Sequence, residues 1–319
     1  MYRRQFLTSA LAGGLAVPRR GWAQHAVPPI IGMLDLGLGA NVEQGWKAFR
    51  DGLRERGYVE GKTVSIESRF ANGDAARLPA LVAELVALNV KVIVTAGTTS
   101  IRAAKDVTRT VPIVIAVGAA KSLAQPGGNI TGLSILGSEI ARKRLELLHA
   151  AVPRARVVAF LVQAANPGNP VFIKAMTTVA SSLGFRLHVV KVNATDHLSR
   201  AFVEMVAANA EALVVIEDPT FVALAKSIAD LALSHHLPTM LGNRLYVYAG
   251  GLMAYGLVYN DLWRRAAKYV DRILKGANPA DMPIEQPNKF DLIINLTTAR
   301  ALNLTIPPSL LLRADQVIE

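Results

Sequence analysis

Short apolar runs of strand length, each followed by a stretch with helical periodicity, restrict the fold of this chain more than any other feature. In the first third the runs fall at 29–35, 62–69, 92–96 and 112–117. Between the first two, Val42, Trp46, Phe49 and Leu53 are spaced by four, three and four, one face of a helix ending at Gly57; 78–88 supplies the next helix. Neighbouring strands joined through helices run parallel, so the pattern predicts a parallel sheet. A composition that is 51% hydrophobic but only 6% aromatic suits helices packed on both faces of such a sheet.

The rhythm breaks at Pro126-Gly127-Gly128-Asn129, a turn cluster, and then restarts. The second series is helix 139–151, strand 156–162, helix 171–183 with Phe172, Ala175, Val179 and Leu183 on one face, strand 186–192, helix 197–209, strand 212–216, helix 220–236 and strand 237–241. A strand at 250–256 follows, then a helix at 259–274 with Leu262, Ala266, Tyr269, Val270 and Ile273 facing inward. The last segment, 282–319, holds a short strand pair, a brief helix at 297–302 and a Pro-Pro turn. The expected fold is α/β: two doubly wound parallel-sheet lobes joined by crossover segments, with a ligand cleft at the carboxyl ends of the strands.

Residues 1–23 have the anatomy of an export signal. Arg3-Arg4 precede a small-residue apolar run at 7–17, and Gly21-Trp22-Ala23 offers a cleavage site. The run is far shorter than the roughly 20 residues that cross a bilayer as a helix. Arg3-Arg4 with Gln5-Phe6-Leu7, and Arg19-Arg20 after the run, resemble a twin-arginine signal, with the Sec route as the alternative. The chain has no cysteine, hence no disulfide, no thiolate metal site and no acceptor for a bacterial lipid anchor. Removing the signal lowers the formal charge from +11 to about +7. The remaining basic residues are scattered; the clusters Arg142-Lys143-Arg144 and Arg264-Arg265 read as solvated helix faces, and no basic stripe interleaved with aromatics suggests nucleic acid.

Several phrases carry a family resemblance: 52–61 (GLRERGYVEG), 126–132 (PGGNITG), 143–148 (KRLELL), 272–283 (RILKGANPADMP) and 289–296 (KFDLIINL). With them the sequence resembles the ABC-transporter substrate-binding proteins related to tryptophan- and tyrosine-binding subunits, of type I periplasmic-binding-protein fold. The resemblance implies a periplasmic, soluble, non-catalytic receptor that captures a small molecule by lobe closure. An amino acid or aromatic compound is favoured, and an inner-membrane permease would receive it. It implies a monomer with no cofactor and no nucleic-acid partner. Lobe 1 is then expected at 28–132 with 258–282, and lobe 2 at 133–257 with 283–319. One departure stands out: 118–125 is shorter than the family's usual loop and lacks its Asp-Pro.

Ligand contacts are expected on loops that follow strands. Ala96, Gly97, Thr98 and Thr99 combine a glycine for close approach with hydroxyls entering a helix, whose first N–H groups suit a carboxylate; a plain helix cap is the other reading. Leu36 and Gly37 form a candidate cleft wall; the Gly37-x-Gly39 there lacks the third glycine of a dinucleotide fingerprint, Val42 standing in its place. Val117 and Gly118 end the fourth strand. On the second lobe Asn166 and Asn169 offer amides, and Glu217 and Asp218 offer carboxylates for a ligand ammonium, with a turn and a cap as the structural alternatives. Asn243 and Tyr255 take similar strand-end positions, Tyr255 able to stack on a planar ligand, while Arg244 reads as structural.

Catalytic readings find little support. There is no Gly-x-Ser-x-Gly elbow or Walker loop, and the six histidines form no metal constellation. The alternatives are a periplasmic sensory subunit and, from a different class, a nucleotide-dependent enzyme of doubly wound fold.

Overall fold

The computed structural model describes residues 27–37, 39–118, 128–134, 137–193 and 197–319. The expected export signal and most of the 118–125 loop lie outside the described residues.

The first sheet is built from β1 (Ile30–Asp35), β2 (Ser65–Phe70), β3 (Val92–Ala96), β4 (Ile113–Val117) and β5 (Ile130–Gly132), with α1 (Gly39–Arg54), α2 (Leu78–Ala87) and α3 (Thr98–Val107) between them. Its order is β2-β1-β3-β4-β5, and every pairing is parallel. β1, β3 and β4 are apolar along nearly their whole length because both faces are covered. The buried residues accordingly form two clusters, one on each face of the sheet.

The second unit runs α4 (Gly137–Ala151), β6 (Val157–Gln163), α5 (Asn169–Ser182), β7 (Arg186–Val192), α6 (Leu198–Ala207), β8 (Ala212–Val215), α7 (Pro219–Ala223), α8 (Ala225–Ser234), β9 (Thr239–Leu241), α9 (Arg244–Tyr248) and β10 (Met253–Leu257). The chain then passes through α10 (Tyr259–Leu274) and completes the unit with β11 (Phe290–Asn295), α11 (Leu296–Ala301), α12 (Pro308–Leu311) and β12 (Gln316–Ile318). The sheet order is β12-β11-β10-β9-β8-β6-β7, parallel except for the antiparallel β10–β11 pair. One continuous core serves this unit.

Although α10 follows a strand of the second sheet, it packs in the first unit. Its buried face, Leu262, Trp263, Ala266, Ala267, Tyr269, Val270 and Ile273, lies in one cluster with Trp46, Phe49 and Leu53 of α1. Two glycines allow the close approach. A Cβ on Gly45 would strike the Trp263 indole, and one on Gly52 would lie 2.7 Å from the Arg264 carbonyl. Trp46 also stacks on Phe70 at 4.4 Å and 19°. The chain thus crosses between units three times: after Leu133, at Val258, and between Met282 and Phe290. The first and third crossings run side by side, Ser134 N–H donating to the Glu285 carbonyl and Glu285 N–H to that of Gly132, each at 2.9 Å.

The structure corrects several boundaries. The expected helix 220–236 is two helices broken at Leu224, and the strand expected at 250–256 starts only at Met253, after a turn in which Gly250 takes φ 112°. The Pro-Pro turn opens α12, with Pro308 at the helix start where its missing N–H costs nothing. β5 and α9, three and five residues long, were not anticipated. No helix among the described residues is long and apolar enough to cross a membrane.

Candidate functional site

On the first lobe, the carboxyl ends of β1, β3 and β4 carry the wall. Asp35 ends β1 and is 3% exposed, its Oδ1 accepting from Gly37 N–H at 2.8 Å. Burial raises its pKa to about 6, an effect partly offset by the Gly37 N–H, the Trp46 indole and the Leu36 N–H. Beyond β3, Gly97 takes φ 80°, a conformation costly for any other residue, and no side chain caps α3. The first N–H groups of that helix are therefore left to whatever lies in front of them. Gly97 N–H is tied to the Val117 carbonyl at 2.8 Å, and a Cβ on Gly118 would collide with Ile101, so the β3 and β4 ends are locked together. Leu36, Ala96 and Val117 are buried beneath the wall, whereas Thr98 and Thr99 are half-buried on it. Leu36, Gly37, Ala96, Gly97, Thr98, Thr99, Val117 and Gly118 thus gather at neighbouring strand ends.

On the second lobe the polar groups are side chains that hold one another. Asn166 Nδ2 donates to Asp218 Oδ2 at 2.7 Å, while its Oδ1 accepts from Gly168 N–H at 2.8 Å. Asp218 Oδ1 accepts from Thr220 N–H at 2.9 Å and caps α7. Asn169 spends its Nδ2 on the Gln163 carbonyl at 2.7 Å, but its buried Oδ1 has no partner. Asn243 caps α9 through Leu245 N–H at 2.9 Å. The Tyr255 ring is stacked on Phe290 at 5.6 Å and 13°, so one of its faces is already occupied. Arg244 is ion-paired with Asp291.

Glu217 faces Arg144 of α4, Oε1 to Nη2 at 3.0 Å, and the same guanidinium donates through Nε to the Tyr255 carbonyl at 2.8 Å. Arg144 is 7% exposed, which corrects the reading of the 142–144 cluster as a solvated face: only Arg142 is exposed. Tyr246 is buried beside this pair, its hydroxyl without a partner. Burial, then the negative charges of Asp218 and Glu217, push its phenol well above the usual tyrosine range.

The two walls approach each other closely. A Cβ on Gly168 would lie 3.2 Å from the Thr98 hydroxyl, so the β3–α3 and β6–α5 turns face each other across the cleft with room for little more than a methyl group at that point. One wall offers main-chain N–H donors and hydroxyls, the other carboxylates and amides. Such a cleft suits a small ligand with an anionic end and a cationic or donor-rich end. Among the described residues, no group of three or more His, Cys, Asp or Glu is placed to hold a metal. Asp35 and Gly168 border the candidates Leu36 and Asn169, in segments that the sequence already marks as cleft wall. Arg144 and Tyr246 escaped sequence reasoning because their partners are distant in sequence.

Comparison with known proteins agrees with this architecture. The family model described as ABC transporter substrate binding protein matches residues 39–318. A tyrosine-binding protein of Clostridioides difficile (strain R20291) is 23% identical over 281 residues, covering 86% of this chain and 81% of that protein. A crystal structure of an ABC domain in complex with L-Trp from Streptococcus pneumonia superposes with a TM-score of 0.85 at 25% identity, over 92% of this chain and 100% of that one. A conserved domain protein from Vibrio cholerae gives 0.86 at 24% identity, over 91% and 100%.

Proposed function

This chain belongs to the ABC transporter substrate-binding protein family, and from that premise we propose that it captures an amino acid, with aromatic ones first, between its two lobes and hands it to a membrane permease. The observation that carries the reading is the approach of the Thr98 hydroxyl to Gly168, 3.2 Å from where a Cβ there would stand. It brings the uncapped start of α3 opposite the Asn166–Asp218 pair. In this reading the ligand carboxylate is held by the first N–H groups of α3, with the Thr98 and Thr99 hydroxyls beside it, and its ammonium is drawn to Asp218. L-Trp bound to the Streptococcus pneumonia relative and the name of the Clostridioides difficile one supply the preference for an aromatic side chain. The lobes close over the ligand by bending at the three crossings, without covalent chemistry.

The reading includes export by residues 1–23 through the twin-arginine route and work as a free periplasmic monomer. Lobe 1 comprises 28–132 with 258–282, and lobe 2 comprises 133–257 with 283–319. A thermal-shift screen of the mature protein against the twenty amino acids, aromatic acids and sugars tests the cargo. A ligand at a hundredfold excess over its Kd adds about 2.7 kcal/mol of stability. L-tryptophan or L-tyrosine is expected to raise the melting temperature; if no amino acid does, the cargo assignment is wrong.

A further inference from the structure

Arg144 is the most deeply buried arginine of the second lobe, and the connections of its guanidinium set it apart. It sits on α4, the helix entered directly after the first crossing. Its Nε holds the carbonyl of Tyr255 on β10, the strand that leads into the second crossing. Its Nη2 faces Glu217, the neighbour of the Asp218 that fixes Asn166 on the cleft wall. One side chain therefore joins both segments flanking two of the three crossings to the ligand-facing edge of β8.

The surroundings are shaped for this pair. A Cβ on Gly242 would collide with Glu217 and lie 2.8 Å from Arg144 Nη2, and one on Gly256 would strike the Gly242 carbonyl. Ile140, Phe160, Phe172, Met176, Val214 and Ile216 line a small cavity against the two charged groups. Arg144 Nη2 and Glu217 Oε1 stand 3.0 Å apart yet lack hydrogen-bond alignment. A buried pair so poorly aligned is a poor source of stability, since desolvation offsets most of its Coulomb gain and an apolar pair of equal volume would serve as well. Its value lies elsewhere.

We propose that Arg144 is a positioning residue of the cleft: through Glu217 and the Tyr255 carbonyl it fixes the angle at which the chain leaves the second lobe, and so favours the arrangement in which Thr98 meets Gly168. It touches no ligand. The proposal rests on the cleft reading above, but its test needs no ligand, so a failure to identify the cargo leaves the test readable.

The chain has no cysteine, so Thr98→Cys with Gly168→Cys gives a protein whose only possible disulfide reports closure. The 3.2 Å approach of the Gly168 position to the Thr98 hydroxyl falls within disulfide reach. The rate of disulfide formation in ligand-free protein is compared in this parent, with Arg144→Lys, and with Arg144→Leu/Glu217→Leu. The leucine pair should unfold cooperatively near the parent's melting temperature yet cross-link about tenfold more slowly. Lysine keeps the charge but lacks the fork that spans Glu217 and the carbonyl at once, so Arg144→Lys should cross-link roughly threefold more slowly. If the leucine pair fails to fold, Arg144→Lys alone decides. An unchanged rate in a folded variant overturns the proposal.

Discussion

On the first lobe the cleft is walled by main chain: the bare start of α3, Gly97 at φ 80° and Gly118 pressed on Ile101. On the second lobe it is walled by interlocked side chains, Asn166 on Asp218, backed from within by Arg144 on Glu217. The cores differ in the same sense. The first sheet is sandwiched between two clusters and holds Trp46 and Trp263, the two tryptophans among the described residues, while the second has one continuous core and no tryptophan. A wall of backbone geometry is insensitive to losing a hydroxyl, whereas a network of side chains fails when one member leaves. That asymmetry can be tested lobe by lobe.

The largest effect is expected from Trp46→Ala, which empties a fully buried site stacked on Phe70 and should cost about 3–5 kcal/mol. In protein made without residues 1–23, Trp263 is the remaining tryptophan and reports only the first lobe, so its fluorescence transition should then come at lower denaturant than the far-UV circular dichroism transition of the whole chain. Coincident transitions would show that the lobes unfold as one unit.

Asp35 comes next. Its folded pKa of about 6 lies above the ordinary 3.8, so between those values the folded protein binds more protons than the unfolded one. Stability contributed by the protonated carboxyl is therefore present at low pH and is lost as pH rises through about 6, an effect of roughly 3 kcal/mol. Asp35→Asn keeps the acceptor for Gly37 N–H and should flatten this part of the melting-temperature profile between pH 4 and pH 6. It should also raise the melting temperature at pH 7. A slope that survives the substitution assigns the titration to another group.

Asp218→Ala on the opposite wall strips an acceptor from both Asn166 and Thr220 N–H and should cost about 1–3 kcal/mol. It should also abolish the thermal shift given by L-tryptophan; a shift that persists removes Asp218 from the binding site. The smallest effect is expected from Thr98→Val with Thr99→Ala, under about 0.5 kcal/mol in stability. Calorimetry should find L-tryptophan affinity within about threefold of the parent if the α3 main chain is the carboxylate's partner. A loss as large as that of Asp218→Ala would erase the contrast between the walls.

Sequence reasoning read the strands well because parallel strands covered on both faces are continuous apolar runs, as in Val92–Ala96 and Ile113–Val117. The limits of α10 were legible to the residue, since Leu262, Ala266, Tyr269, Val270 and Ile273 make one stripe, which Trp263 and Ala267 widen in the structure. β5 escaped because three residues hold no period, and its place is fixed by pairing with β4. The polarity of Arg144 pointed outward. Its burial depends on Gly242 and Glu217, some seventy to a hundred positions away, which no local pattern records. The candidate site residues were found as strand ends, but the bonds among them, such as Asn166 to Asp218 across 52 positions, follow only from the order of strands in the sheet.

The packing of α10 onto α1 has a consequence for synthesis. The five strands of the first sheet are complete at Gly132, but the helix that covers Trp46, Phe49 and Leu53 is not made until Leu274. A growing polypeptide therefore carries this aromatic face uncovered while more than a hundred further residues are added. The amino-terminal half cannot finish maturing on the ribosome ahead of the carboxyl-terminal half, so a chaperone that shields this face has the whole of that interval in which to act.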